Sequence, residues 1–176
     1  MILALAGLGV FLYNRLVAAS NHVKAGWSDI GVQLKRRHDL IPKLVSAVRA
    51  YADFEQATLT AVTELRVQSE QARSPAAVAA IETQLGAGIG RLLAIAEAYP
   101  DLKASDNFLD LQSSISAVED HIQYARRYYN GAVRHYNTLI QSFPDMLIAP
   151  PFGFGEAEYF ESGLEEGERQ SPGSAQ

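Results

Sequence analysis

The chain has no cysteine. That excludes a disulfide framework and a thiolate-ligated metal site. Histidine is scarce, with four residues scattered at positions 22, 38, 121 and 135. Each is read as an exposed polar side chain rather than a ligand. The first 155 residues have no net charge, because 14 basic and 14 acidic side chains cancel. Such a body has no general attraction for phosphate backbones, so nucleic-acid binding is not expected. Catalytic signatures are missing as well: there is no H-E-x-x-H and no G-x-S-x-G. A di-iron helical bundle needs inward Glu and Glu-x-x-His pairs. The nearest match is Glu119-Asp120-His121, where positions two apart point to different helix faces. The chain is therefore expected to be no enzyme, with no catalytic residue, cofactor or metal.

Charge is also missing from the opening run, MILALAGLGVFLY (1–13). The run is apolar on every side, unlike a one-sided surface helix. As a helix it would be about 20 Å long, against roughly 30 Å for a bilayer core. Extension through Val17, Ala18 and Ala19 nearly suffices if Asn14 and Arg15 snorkel to the interface. Three readings stand: a membrane span, which is favoured, a buried bundle helix, and a cleaved signal peptide. A signal peptide would need a basic n-region and an A-x-A-like site, and neither is evident. For a span, all nearby cations follow it, with seven against two acids over residues 15–49. The positive-inside rule then places the body in the cytoplasm, making this a single-pass protein of the inner membrane. At the far end, residues 161–176 are polar, acidic and rich in Gly and Ser, and are expected to be a disordered tail.

Between these ends the periodicity is helical. Leu16, Val23, Trp27, Ile30 and Leu34 form one apolar face. In the stretch KRRHDLIP (35–42), Lys35 to His38 suit the last turn of a helix, beside unpaired carbonyls. Asp39 suits the N-cap of the next helix, with Pro42 in its first turn. The simplest reading is a tight turn between two helices. One long helix kinked at Pro42 and an exposed basic docking tip are the alternatives. A second helix carries Leu44, Val48, Tyr51, Ala52, Leu59, Val62 and Leu65, with Glu55 on the same stripe. Ser74-Pro75 is a strong start signal for a third helix, which holds Val78, Ile81, Leu85, Ile89, Leu92 and Ala96. Gly86, Gly88 and Gly90 lie inside it. No strand precedes them, so they are no nucleotide loop. Gly86 and Gly90 are read as sites of close helix approach. A fourth helix runs from about Ser105 to Phe143 with a long regular stripe, and PPFGFGEAEYF (150–160) reads as an extended strap. The expected fold is all-α: an antiparallel up-and-down four-helix bundle with coiled-coil-like packing. Residues 1–15 form the membrane segment, 16–160 the bundle and strap, and 161–176 the tail.

Several stretches together resemble one known family. They are YNRLV (13–17), QLKRRHDLIPKLV (33–45), AVRAYADFE (47–55), ARRYYNGAVRHYN (125–137), FP (143–144) and FGFGEAEYFE (152–161). In this order and spacing they are similar to the LemA family of bacterial membrane-anchored proteins. The resemblance implies an antiparallel four-helix bundle after one N-terminal membrane segment. It carries over no biochemical activity.

One polar constellation accompanies the apolar stripes. Glu119, Gln123, Arg126, Asn130 and Asn137 follow helical spacing on the last helix. With Asn14, Asn21, Arg37, Asp39, Glu55 and Arg66 they are expected to form an interhelical polar network or a partner surface. A solvated face with casual pairs is the plainer alternative. A turn at 37–39 would also set residues 1–15 beside 61–75, where Glu64, Gln68, Glu70 and Gln71 are unfit for lipid. The expected function is a non-enzymatic, membrane-anchored scaffold or adaptor that binds an unidentified protein or itself. The alternative is a membrane-attached sensory or small-ligand-binding bundle, with the Glu119–Asn137 polar face as its pocket.

Overall fold

The computed structural model describes residues 2–52 and 54–161, with side chains from residue 6 onward. The tail expected over 161–176 therefore lies, beyond Glu161, outside the described residues. The described chain is all-helical, with no strand. It contains α1 (Ile2–Arg49), α2 (Gln56–Gln71), α3 (Pro75–Glu97), the single turn α4 (Pro100–Lys103), α5 (Asp106–Gln141) and a 3-10 turn at Asp145–Leu147. Five helices of unequal length thus stand where four long ones are expected.

The main departure is at residues 37–42. No turn forms there; α1 continues through Pro42 to Arg49. An internal proline costs a helix about 3 kcal/mol, by losing one hydrogen bond and crowding the preceding turn. Packing outweighs that cost. Ile41, Leu44, Val45 and Val48 fall on one face and are all buried, and each buried aliphatic side chain contributes roughly 1.5–3 kcal/mol. Pro42 itself faces solvent. Asp39 is consequently no N-cap: it is exposed within α1, 3.8 Å from Lys35 one turn earlier. The break comes instead after Arg49, where Ala52 is fully buried and Tyr51 and Phe54 are exposed. No glycine or proline marks that break.

The chain divides into two compact units. One comprises residues 1–32 and 122–159, and the other 33–121 with 160–176. In the first, Leu16 and Ala19 of α1 pack against Tyr136 and Ile140 of α5, with Ala149 alongside. Gly26 meets Tyr128 and Tyr129, so the two helices run antiparallel. This unit sets residues 13–16 of α1 beside residues 145–154. The juxtaposition with 61–75 depended on a turn that is absent.

In the second unit, residues 41–52 of the chain join Leu59, Val62, Leu85, Ile89, Leu92, Ala96, Leu102, Phe108 and Ile115 in one core. Ser74 caps α3 as its spacing predicts, its hydroxyl accepting from the Ala77 N–H at 3.3 Å. Among the described residues α3 is the one helix long and apolar enough to cross a membrane, with 33% of its apolar window buried. Its Val78, Leu85, Ile89 and Leu92 are buried.

The three glycines of α3 differ. A Cβ on Gly88 would lie 2.7 Å from Val62 Cγ2, and one on Gly86 would lie 2.9 Å from Arg37 Nη2. Gly90 faces open space, so Gly86 fits the close-approach expectation and Gly90 does not. Gly90→Ala should raise stability by about 1 kcal/mol through helix propensity alone. Gly88→Ala should lower the melting temperature, since the Val62 clash exceeds the same gain. Thermal unfolding of the two variants checks both signs.

Candidate functional site

A carboxylate sits on the buried face of α3. Glu82 falls one turn beyond Val78 and just before Leu85, and is almost wholly buried. An ionised carboxylate there is costly unless paired. Three residues surround it. Arg37 Nη1 donates to Oε2 at 3.1 Å. His38 Nε2 lies 2.7 Å from Oε1. The Ser69 hydroxyl of α2 donates to the same oxygen. Burial alone would raise the Glu82 pKa, but the His38 and Ser69 hydrogen bonds and the Arg37 charge outweigh it. The carboxyl is held below its ordinary value of 4.5. An ionised carboxylate only accepts, so His38 presents a protonated Nε2 to it.

Arg37 has a second partner: its Nη2 lies 2.8 Å from Glu119 Oε2 on α5. His38 Nδ1 lies 3.7 Å from Glu70, which also pairs with Arg66 at 3.1 Å. One buried acid and its cations thus connect α1, α2, α3 and α5 within this unit.

The arrangement limits the chemistry available. A hydrolytic triad needs the imidazole between hydroxyl and acid, so that it can take the hydroxyl proton. Here the acid is in the middle, and Ser69 bonds to it rather than to His38. Arg37, His38, Ser69 and Glu82 are all buried. Among the described residues no group of three His, Cys, Asp or Glu could hold a metal ion. The cluster is built as a clasp.

The other unit has its own polar contacts. Asn137 grips the strap with both halves of its amide: Nδ2 donates to the Ala157 carbonyl at 2.9 Å, and Oδ1 accepts from the Ala157 N–H at 2.8 Å. Tyr129 donates to the Glu158 carbonyl at 2.7 Å. Burial, with the Glu158 charge, pushes its pKa up to about 12, so it stays a donor. Gln141 reaches Glu156 at 2.6 Å. The strap therefore runs back along α5. Arg15 is paired with Asp145, which is fully buried.

The expected polar residues fall in different places. Arg37 and Glu119 meet, and Arg66 adjoins them through Glu70. Asn137 holds the strap. Arg126 and Asn130 are half-buried on α5, and Glu55 is half-buried where α2 begins. Asn14, Asn21 and Asp39 are exposed. Arg37 and His38 are buried, rather than exposed at a helix end. Glu82 and Asp145 are the residues that sequence reasoning missed. Glu82 does carry a signal, being a charge on the stripe of Val78, Leu85, Ile89 and Leu92. Asp145 has only its isolation among apolar neighbours.

A family model described as the LemA family matches residues 26–173. The chain is 30% identical over 148 residues to Protein LemA of Metamycoplasma hominis, covering 81% of this chain and 68% of that protein. It is 26% identical over 175 residues to Magnetosome protein MamQ 1 and to MamQ 2 of Paramagnetospirillum magneticum, covering 85% of this chain. It spans 64% of the length of each of those two relatives.

Glu82→Gln leaves Arg37 and His38 buried without their shared anion, and should cost about 3 kcal/mol. Because the folded pKa lies below 4.5, the Glu82 contribution is fully present above that pH and is lost as pH falls through the folded value. Chemical denaturation from pH 7 to pH 3 should show a smaller acid loss of stability in Glu82→Gln than in the unaltered chain.

Proposed function

The chain belongs to the LemA family, and from that premise we propose that it is a membrane-tethered helical scaffold without catalytic activity of its own. The observation that carries the tether is the start of α1. Leu12 and Leu16 are buried, whereas Leu8, Val10, Phe11 and Tyr13 of the same turns face outward. A soluble helix would bury such a run on one side and keep polar groups on the other. An apolar surface on the outer side suits lipid. The cations that follow the run favour a cytoplasmic body.

The scaffold role rests on what the body offers. Its most unusual polar cluster is closed to solvent and has its acid in the position that hinders nucleophilic catalysis. Its exposed helix faces and strap remain available to another protein or to a second copy. A sensory, small-ligand reading has one feature in its favour. A cleft of about 340 Å³ lies among Lys43, Ala47, Tyr51, Leu102, Phe108 and Leu111, within the size range of small-molecule sites. It is shallow and open, which is why the scaffold reading is preferred.

Alkaline carbonate extraction of membranes from cells expressing the full chain tests the tether. The full chain should remain in the pellet, and a Val10→Glu, Phe11→Glu double variant should be released to the supernatant. Release of the unaltered chain would mean that the segment serves protein packing, and a soluble binding module would replace the tethered scaffold.

A further inference from the structure

The connection between α5 and the strap exposes more apolar surface than a loop ordinarily does. Phe143 is 77% exposed, Leu147 63% and Phe152 63%, with Met146 also facing outward. The same stretch shows almost no charge. Across residues 142–155 the one ionisable side chain is Asp145. It is fully buried and neutralised by Arg15, whose Nε donates to Oδ1 at 3.1 Å. What the loop presents is apolar, aromatic and uncharged.

Its position within the unit is equally specific. The Tyr13 ring packs edge-on against Phe152 at 5.1 Å and against Phe154 at 5.7 Å. Arg15 holds Asp145. The loop is thus fixed beside the level of α1 where the uncharged run ends and the first cation appears. Leu8, Val10 and Phe11 continue the outward apolar surface from there toward the helix start.

We propose that residues 143–152 form a second membrane contact, with Phe143, Met146, Leu147 and Phe152 seated in the interfacial zone of the bilayer beside the α1 segment. The inference rests on the tether reading above. Phe, Leu and Met side chains gain by leaving water for the boundary between headgroups and acyl chains, in proportion to the apolar area they bury there. A charged loop could not enter that zone cheaply, and the Arg15–Asp145 pair removes the one charge it has. A bilayer fits better than a protein partner because the loop is held against residues 13–15 of α1, next to the turns that expose Leu8, Val10 and Phe11.

The absence of native cysteine makes the test direct. Single-cysteine variants Val10→Cys, Leu147→Cys and Ser113→Cys of the full chain would carry an environment-sensitive fluorophore. Each would be reconstituted into phosphatidylcholine–phosphatidylglycerol vesicles containing acyl-chain nitroxide quenchers. The proposal expects blue-shifted emission and strong lipid quenching at positions 10 and 147, with neither at 113. Quenching at 10 but full exposure to aqueous iodide at 147 would overturn the loop contact and leave the tether standing. A loop label protected from both quenchers would also overturn it, in favour of a contact with a second copy. No lipid quenching at either position would overturn the loop contact and the tether together.

Discussion

The second unit is organised by one carboxylate that cannot be left alone. Glu82 is desolvated on the core face of α3, and a lone anion there would be costly. Its partners on α1 are consecutive residues, Arg37 and His38, which can converge on one acid only if they are held at a fixed point along a helix packed on α3. That requirement sits well with the continuity of α1. A turn at residues 37–39 would leave both side chains at a solvated corner. The helix instead passes through Pro42, with the adjacent apolar face supplying the favourable energy. The same guanidinium then reaches Glu119, which ties the register of α5 to that of α1. Gly86 leaves room for that guanidinium.

Much of this was legible before any coordinates. The stripe expected from Phe108 to Phe143 is almost wholly buried as far as Ile140, and Phe143, beyond the end of α5, is exposed instead. Ser74-Pro75 opens α3 because cap chemistry is local. The misplaced boundary between the first two helices has a physical cause. Basic residues, an aspartate and a proline are ordinary end-and-start signals, and here burial of Ile41, Leu44 and Val48 overrides them. The true break at 50–55 has no strong local breaker, so propensity could not reveal it. The clasp was half visible. Arg37 and Glu119 are legible as members of a polar network, while Glu82, next to Ile81 on a helix read only for its apolar stripe, is not singled out by the sequence. The contact of Arg15 with Asp145 joins residues 130 positions apart, and no local pattern announces such a pair.

The two units show different physics. In one, Arg37, His38 and Glu82 are drawn inward and bonded to one another. In the other, the single charge of the α5–strap loop is hidden and apolar side chains are turned outward. A soluble domain would ordinarily bury Phe143, Leu147 and Phe152 or replace them. The proposed membrane contact would give them a reason to stay exposed.

The central structural claim is that the Glu82 clasp specifies helix register and does more for uniqueness than for stability. Replacing Arg37, His38 and Glu82 together by apolar residues of similar volume separates these two effects, because the buried charges go together and Glu119, which also loses Arg37, is part-exposed to water. Two-dimensional amide NMR of that triple variant, as the full chain in detergent micelles, is the most direct measurement. The account predicts helical content and thermal stability close to those of the unaltered chain, with more than one set of resonances for the second unit. A single sharp set matching the unaltered spectrum would contradict it, and would show that apolar packing alone fixes the register.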